Sequence, residues 1–290
     1  MSILVIGATG TIGTQIVQRL AASDAEVKAL VRTPGKAVLP AGVTEVVGDL
    51  TSVASMRAAL TGVRTLYLLN AVVADEVTQA MIAVHLAVEA GIERLVYQSV
   101  IHADAWTDVP HFAGKYAVER MLETQPIGAT ILRPAYFMQN DLGMRGVIEG
   151  HGVYPMPIGS AGVHMVDIRD IADVAVAELL ARHRAERPLP GRTLDVVGPD
   201  AITADTAARA WGDALGREIR VGGTDLAAFE RQMSAHGPDW KAYDLRLMFA
   251  RTIRHGMHPL PEAIAALESM LGRPLRRYRD LIGETLGRAS

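Results

Sequence analysis

Short runs of apolar, mostly β-branched residues recur along the first two-thirds of the chain, separated by longer stretches in which apolar positions return every three or four residues. The first pattern is that of strands and the second that of amphipathic helices. Strands are expected at 3–6, 26–31, 44–47, 65–69, 94–98, 129–132 and 193–197, with helices at 11–22, 53–60, 75–90, 112–124 and 169–180. Most of the strand runs are apolar on successive residues, as expected when both faces of a strand are covered. This alternation predicts an α/β fold: a doubly wound parallel sheet with its first strand central and right-handed crossovers placing helices on both faces.

After Arg133 and Pro134 the rhythm changes. Residues 141–162 are rich in Gly and Pro with little periodicity, and helical patterns at 204–215, 226–235, 240–255 and 261–270 follow without alternating strands. The expected division is a sheet domain, 1–140 and 163–200, and a smaller, mostly helical lobe, 141–162 and 201–290. Open α/β sheets bind ligands beyond the carboxyl ends of their strands, and the lobe is expected to roof a cleft there.

The first strand runs directly into Gly7, Gly10 and Gly13, and a helical pattern begins at once. A pyrophosphate needs this context, because glycines admit the backbone close to the phosphates while free amides and the helix dipole neutralise them. The sheet domain is therefore read as a Rossmann dinucleotide-binding domain. In NAD-binding units the second strand usually ends in Asp or Glu, which accepts from the adenosine ribose; here that stretch carries Arg32 and Lys36. A guanidinium and an ammonium suit a 2′-phosphate, so NADP(H) is the expected cofactor and NAD(H) the alternative; the other reading of the two cations is a solvated loop. Asp49, after the third strand, suits either the adenine amino group or the cap of the helix at 53. Asn70 and Ala71, ending the fourth strand, are expected to line the path toward the nicotinamide.

Composition narrows the partners. A chain of 290 residues, 49% hydrophobic and 21% charged, is an ordinary globular one of one large or two coupled domains. Its net charge of −3 lacks the positive field that a phosphate backbone requires, so no nucleic-acid partner is expected. The absence of cysteine excludes disulfides, thiolate metal sites and cysteine nucleophiles. No basic region precedes the first apolar run, and no apolar stretch approaches the roughly 20 residues needed to cross a bilayer; the expected location is the cytoplasm, with no membrane partner.

Beyond the fifth strand and Ser99, a four-residue step puts His111, Lys115 and Glu119 on one helical face. An imidazole and an amine at the strands' carboxyl end suit ribose binding and proton movement; the competing reading is a solvated face with one Lys–Glu pair. Tyr116 points about 100° away around the helix and is read as packing. His102, Asp104 and Asp108 lie in the preceding loop, suited to substrate contact or to plain solvation. His255 and His258 have no neighbouring carboxylate or thiolate, so no metal site is expected. Ser99 lacks a Gly-x-Ser-x-Gly elbow, which argues against a hydrolase. Arg273, Arg276, Arg277 and Arg279 are read as a solvated or salt-bridged cluster, and Met138, Met144, Met156 and Met165 as cleft lining or core filling.

Several stretches together resemble the NmrA-like branch of the extended short-chain dehydrogenase/reductases. They are the Gly7-x-x-Gly10-x-x-Gly13 start, His111-x-x-x-Lys115-x-x-x-Glu119, Ile131-Leu132-Arg133-Pro134-Ala135-Tyr136-Phe137-Met138-x-Asn140, the run from Val166 to Ala175, and Leu271-Gly272-Arg273-Pro274 followed by Tyr278. The superfamily pairs a Tyr proton donor with a Lys four residues later that holds the nicotinamide ribose. Here His111 takes the tyrosine's place and Lys115 the lysine's, a replacement also found in the NmrA-like branch. Some members of that branch reduce quinones or similar conjugated acceptors with NAD(P)H, while others sense the cofactor and regulate partners. The resemblance thus implies an NADPH-dependent reductase of a small conjugated acceptor such as a quinone or enone, acting as a monomer or homodimer; the alternative is a catalytically silent NAD(P) sensor. The expected catalytic residues are Lys115 and His111. The expected cofactor-binding positions are Gly7, Thr9, Gly10, Thr11, Ile12, Gly13, Arg32, Lys36, Asp49, Leu50, Asn70, Ala71, Ser99, Lys115 and Pro134.

Overall fold

The computed structural model describes residues 1–287. Among them the strands are β1 (Ser2–Val5), β2 (Val27–Val31), β3 (Val43–Val47), β4 (Val63–Leu68), β5 (Arg94–Gln98), β6 (Gly128–Pro134), β7 (Val153–Tyr154), β8 (Arg192–Val196) and β9 (Arg220–Val221). The helices through the first part of the chain are α1 (Thr11–Ala21), α2 (Val53–Ala59), α3 (Glu76–Glu89) and α4 (Pro110–Thr124). Then come α5 (Met138–Leu142), α6 (Arg145–His151), α7 (Ile168–Arg184), α8 (Ala204–Leu215), α9 (Leu226–Ser234), α10 (Asp239–His255), α11 (Ala263–Leu271) and α12 (Tyr278–Thr285).

Seven of the described strands form one sheet in the order β3-β2-β1-β4-β5-β6-β8. The pairings of β1 with β2 and β4, of β2 with β3, and of β4, β5 and β6 in turn are all parallel. Strand β1 is interior and buried along its whole length, which is why its sequence is continuously apolar. The edge strand β3 is half-exposed and tolerates Glu45. One face of the sheet packs Leu4, Ile6, Leu66 and Leu68 with Ala80, Ala83 and Val84 of α3 and with Val118 and Leu122 of α4.

The described residues fold into two compact units, one of residues 1–103, 114–133 and 171–194, the other of 104–113, 134–170 and 195–287. The segments 104–113, 134–140, 163–170 and 195–200, assigned to the sheet domain on sequence, group with the second unit. Residues 288–290 of the expected lobe lie outside the described residues.

Within the second unit, the stretch 141–162 differs from its aperiodic sequence reading by forming the end of α5 and all of α6 and β7. Neither helix has a side-chain N-cap, and they stop at Gly143 and Gly152, so five- and seven-residue segments bounded by glycine leave no periodic signal. The same holds for the two-residue strands β7 and β9, which pair in parallel. Helix α12 was also missed; its Tyr278, Leu281 and Ile282 bury one face just after an arginine-rich run.

Three phenols bind these short elements together. Asp141 of α5 accepts hydrogen bonds from Tyr154 (2.8 Å), Tyr278 (2.6 Å) and Tyr136 (3.2 Å), and Trp211 Nε1 donates to the Tyr278 oxygen at 3.0 Å. Burial pushes the Asp141 carboxyl up from its ordinary 3.8 to about 6, against the three phenols, which pull it down. Folding therefore favours the protonated form: the stability this group contributes is complete below about pH 4 and is lost as pH rises through about 6. Urea titrations from about pH 4 to about pH 7 are expected to show the wild type losing stability relative to Asp141→Asn across that window, and a constant difference between the two would contradict the assignment.

Candidate functional site

Two of the three glycines after β1 are required by the chain's own packing. Gly7 has φ +81°, and a Cβ there would lie 2.4 Å from the Leu69 carbonyl oxygen; a Cβ on Gly13 would lie 2.0 Å from the Gly7 oxygen. Gly10 differs, since a Cβ there would meet nothing closer than the Gly7 oxygen at 3.4 Å. The chain's own packing therefore does not require a glycine at this position. Helix α1 starts at Thr11 with no side-chain cap and no acidic residue in its first turn, which leaves its first amides for an anion. Thr9 and Thr11 are exposed here, whereas Ile12 is buried under the turn. The turn stands where the strand order reverses, between β1 and β4, the place at which open α/β sheets bind ligands.

A cavity of about 430 Å³ adjoins this turn, and Thr9, Thr14, Val31, Arg32, Thr33, Lys36, Val38 and Pro40 are among its lining. Both cations singled out on sequence thus face one concave space. Their loop is fastened by the Gly35 amide, which donates to Glu45 Oε1 at 2.9 Å. Asp49 does not cap the helix: it accepts from the Thr51 amide (2.8 Å) and hydroxyl (2.6 Å), which hold its carboxyl below the usual range, while Ser52 caps α2. Leu50 is half-buried next to it. Asn70 is buried and donates to the Glu76 carbonyl at 2.8 Å, with Ala71 exposed beside it.

The face of α4 is not a solvated stripe. Lys115 is 6% exposed and Glu119 1%, and they do not pair with each other. Lys115 Nζ lies 2.7 Å from Glu76 Oε1, 3.5 Å from the Gln98 carbonyl oxygen and 5.8 Å from the centre of the Tyr97 ring. Burial, aided by Glu76 and Glu119, pushes the Tyr97 phenol well up, so it keeps its proton at neutral pH. Glu119 accepts from Ser99 Oγ at 2.5 Å and from Arg133 at 2.6 and 3.1 Å. Pro134, next in the chain and last in β6, is buried.

At the start of α4, in the second unit, Asp244 of α10 grips His111 twice. Its Oδ1 accepts the His111 amide at 2.9 Å and its Oδ2 contacts the ring Nδ1. Phe112 meets the His111 ring edge-on at 4.6 Å and is itself stacked on Trp106.

Glu76 and Asp244 were missed on sequence for different reasons. Glu76 follows Asp75 at the head of α3, where acidic residues are ordinary partners of the helix dipole. Asp244 is 133 positions from His111, and nothing local marks it.

Several of the remaining candidates have structural partners. Arg251 holds Asp108 at 3.0 Å, and Arg120 stacks on Tyr116. His258 meets the Ala161 carbonyl and the edge of His164. Asp170 accepts from Arg273 at 2.7 Å and from the Arg276 amide at 2.9 Å, while Arg277 faces Asp200 and Arg279 faces Asp280. Met138 and Met165 are packed in the core. No described helix is long and apolar enough to cross a membrane.

A family model for NmrA-like proteins matches residues 1–271. The chain is 31% identical over 286 residues to the NAD(P)H azoreductase of Xenophilus azovorans, covering 96% of each. It is also 31% identical to the (4-alkanoyl-5-oxo-2,5-dihydrofuran-3-yl)methyl phosphate reductase of Streptomyces griseus, covering 97% of each. Its fold matches that of an Escherichia coli NADPH-dependent quinone oxidoreductase solved with NADPH, with TM-score 0.85 and 24% identity over 98% of this chain and 99% of the other. Since the family pattern runs from the first strand into α11 and the similarity to these reductases spans their lengths, the chain belongs to the NmrA-like family.

Proposed function

We propose that this protein is an NADPH-dependent reductase that delivers hydride to a small conjugated acceptor such as a quinone, an enone or an azo compound. The observation that carries the reading is α4, which presents a buried, ion-paired lysine one turn after a histidine gripped by a buried carboxylate. A cofactor sensor needs the nucleotide cavity but has no use for that pair. The first unit is the cofactor-binding unit and the second supplies the acceptor-binding residues. The names of the two relatives support the reading: one reduces an azo bond, and the other a furanone whose ring double bond is conjugated to carbonyl groups.

The residues fit the cofactor in three places. The Gly10 backbone and the first amides of α1 suit the pyrophosphate. Arg32 and Lys36 suit the 2′-phosphate. Lys115 has three donors; the Gln98 carbonyl accepts from it at 3.5 Å and Glu76 pairs with its charge, which leaves donor capacity for the hydroxyls of the nicotinamide ribose. A reduced nicotinamide bound there supplies the hydride. An acceptor whose added charge spreads over a conjugated system needs only modest help from an acid, which accords with histidine at position 111. The fixed positive charge of Lys115 stabilises negative charge developing beside it.

The function is tested by following reduced-nicotinamide absorbance with the purified protein and a panel of quinones, enones and azo dyes. Oxidation with at least one class is expected; tight NADPH binding without oxidation by any of them overturns the reading. For the cofactor, Arg32→Ala is expected to lose about 1.5–3 kcal/mol of NADPH binding, or roughly tenfold and more in Kd, while NADH affinity stays the same. Calorimetry with both nucleotides checks this.

Lys115→Ala is expected to weaken both cofactor binding and turnover. It also leaves Glu76 buried without its cation, at about 3–5 kcal/mol of stability. The double variant Lys115→Met with Glu76→Gln leaves no lone charge, so it should recover most of the lost stability and none of the turnover. Thermal melts and initial rates of the three proteins measure the two effects separately.

A further inference from the structure

Asp244 has two oxygens and uses both on one residue. Oδ1 takes the backbone amide of His111, a first-turn group of α4 that the helix itself cannot satisfy. A helix cap needs no more than that. Oδ2 goes on to the ring, at Nδ1, with the Asp244 side chain 1% and the His111 side chain 11% exposed. Oδ2 and Nδ1 meet as an ion-pair contact rather than an aligned hydrogen bond; a carboxylate beside Nδ1 favours a proton on that nitrogen and leaves exchange with any other molecule to Nε2. Phe112 lies edge-on to the imidazole at 4.6 Å and is backed by Trp106. The second oxygen thus does something the cap does not require: it places a counter-charge beside the ring.

We propose that Asp244 is the positioning residue of a proton-donating dyad, holding His111 so that its Nε2 protonates the acceptor as hydride arrives. The inference rests on the reductase reading and names the acceptors that depend on the dyad. A quinone or azo compound gains two electrons and one hydrogen as hydride from the reduced nicotinamide, which is left oxidised. The anion so formed takes a proton from Nε2 of the imidazolium, which becomes neutral imidazole and recovers its proton from water. Asp244 keeps its charge throughout and stabilises the imidazolium. A cationic triarylmethane dye is different, because hydride alone converts it to a neutral product and no proton is needed. The dyad should therefore matter for the first class of acceptor and not for the second.

The discriminating variant is Asp244→Asn, whose amide oxygen still accepts the His111 amide while its NH₂ group faces Nδ1 and forces the proton onto Nε2. Nitrogen NMR of the histidine rings in the protein without nucleotide is expected to show Nδ1–H at His111 in the wild type and Nε2–H in Asp244→Asn. With NADPH, the ratio of benzoquinone to cationic-dye reduction rates should fall by at least about tenfold in Asp244→Asn and in His111→Ala, with no further fall when the two are combined. If Asp244→Asn does not fold, the wild-type tautomer and the ratio in His111→Ala decide the matter. An Nε2–H tautomer in the wild type, or a ratio that stays within about twofold of wild type in the variants, overturns the proposal while leaving the reductase reading standing. A wild type that reduces neither probe overturns both.

Discussion

A charge taken out of water must bring a counter-charge or a full set of hydrogen bonds with it, and that constraint organises both units of this protein. Lys115 is tolerated inside because Glu76 is turned toward it from α3. Glu119 is tolerated because Arg133 and Ser99 reach it from the ends of β6 and β5. Glu178 of α7 meets Thr130 of β6, and Arg182, nearly inaccessible, donates to that same hydroxyl and to the carbonyls of Gly128, Leu189 and Pro190. In the second unit, Asp170 plays the same part with Arg273 and Arg276. Each partner stands on a different element, so each buried charge fixes where two segments meet. Misplacing one would cost more than the pair itself contributes.

That constraint also explains which parts of the molecule were legible in the sequence. Periodicity is local, and the elements it marks were found within a residue or two at most ends: 94–98 and 204–215 coincide with β5 and α8. The glycine turn was legible because strand, glycines and helix follow one another directly. Arg32 and Lys36 were legible by their place after a strand. The partners of buried charges carry no such mark. Asp244 lies in a helix whose pattern reads as ordinary amphipathic surface, and only the folded chain brings it to His111. Glu119 was noticed as part of a stripe, yet its partner Arg133 was seen only as one letter of a family motif.

The motif stretches that carry the family resemblance prove to be the places where charges are buried or matched. Arg133 grips Glu119, Asp167 holds Arg169, Asp170 collects two arginines, and Tyr278 donates to Asp141. Such positions are costly to change singly, because a substitution on one side strands the other. A loose motif of this kind records obligations between distant residues more than it records chemistry.

The three glycines after β1 look alike in the sequence and answer to different masters. Gly7 and Gly13 belong to the junction itself, for a methyl group on Gly7 would run into the Leu69 carbonyl just beyond β4 and one on Gly13 into the Gly7 carbonyl. At Gly10 the fold is indifferent. Among proteins of this architecture, variation at the outer two positions therefore has to be matched by movement of the junction. Variation at the middle one is free to follow whatever the turn has been asked to hold.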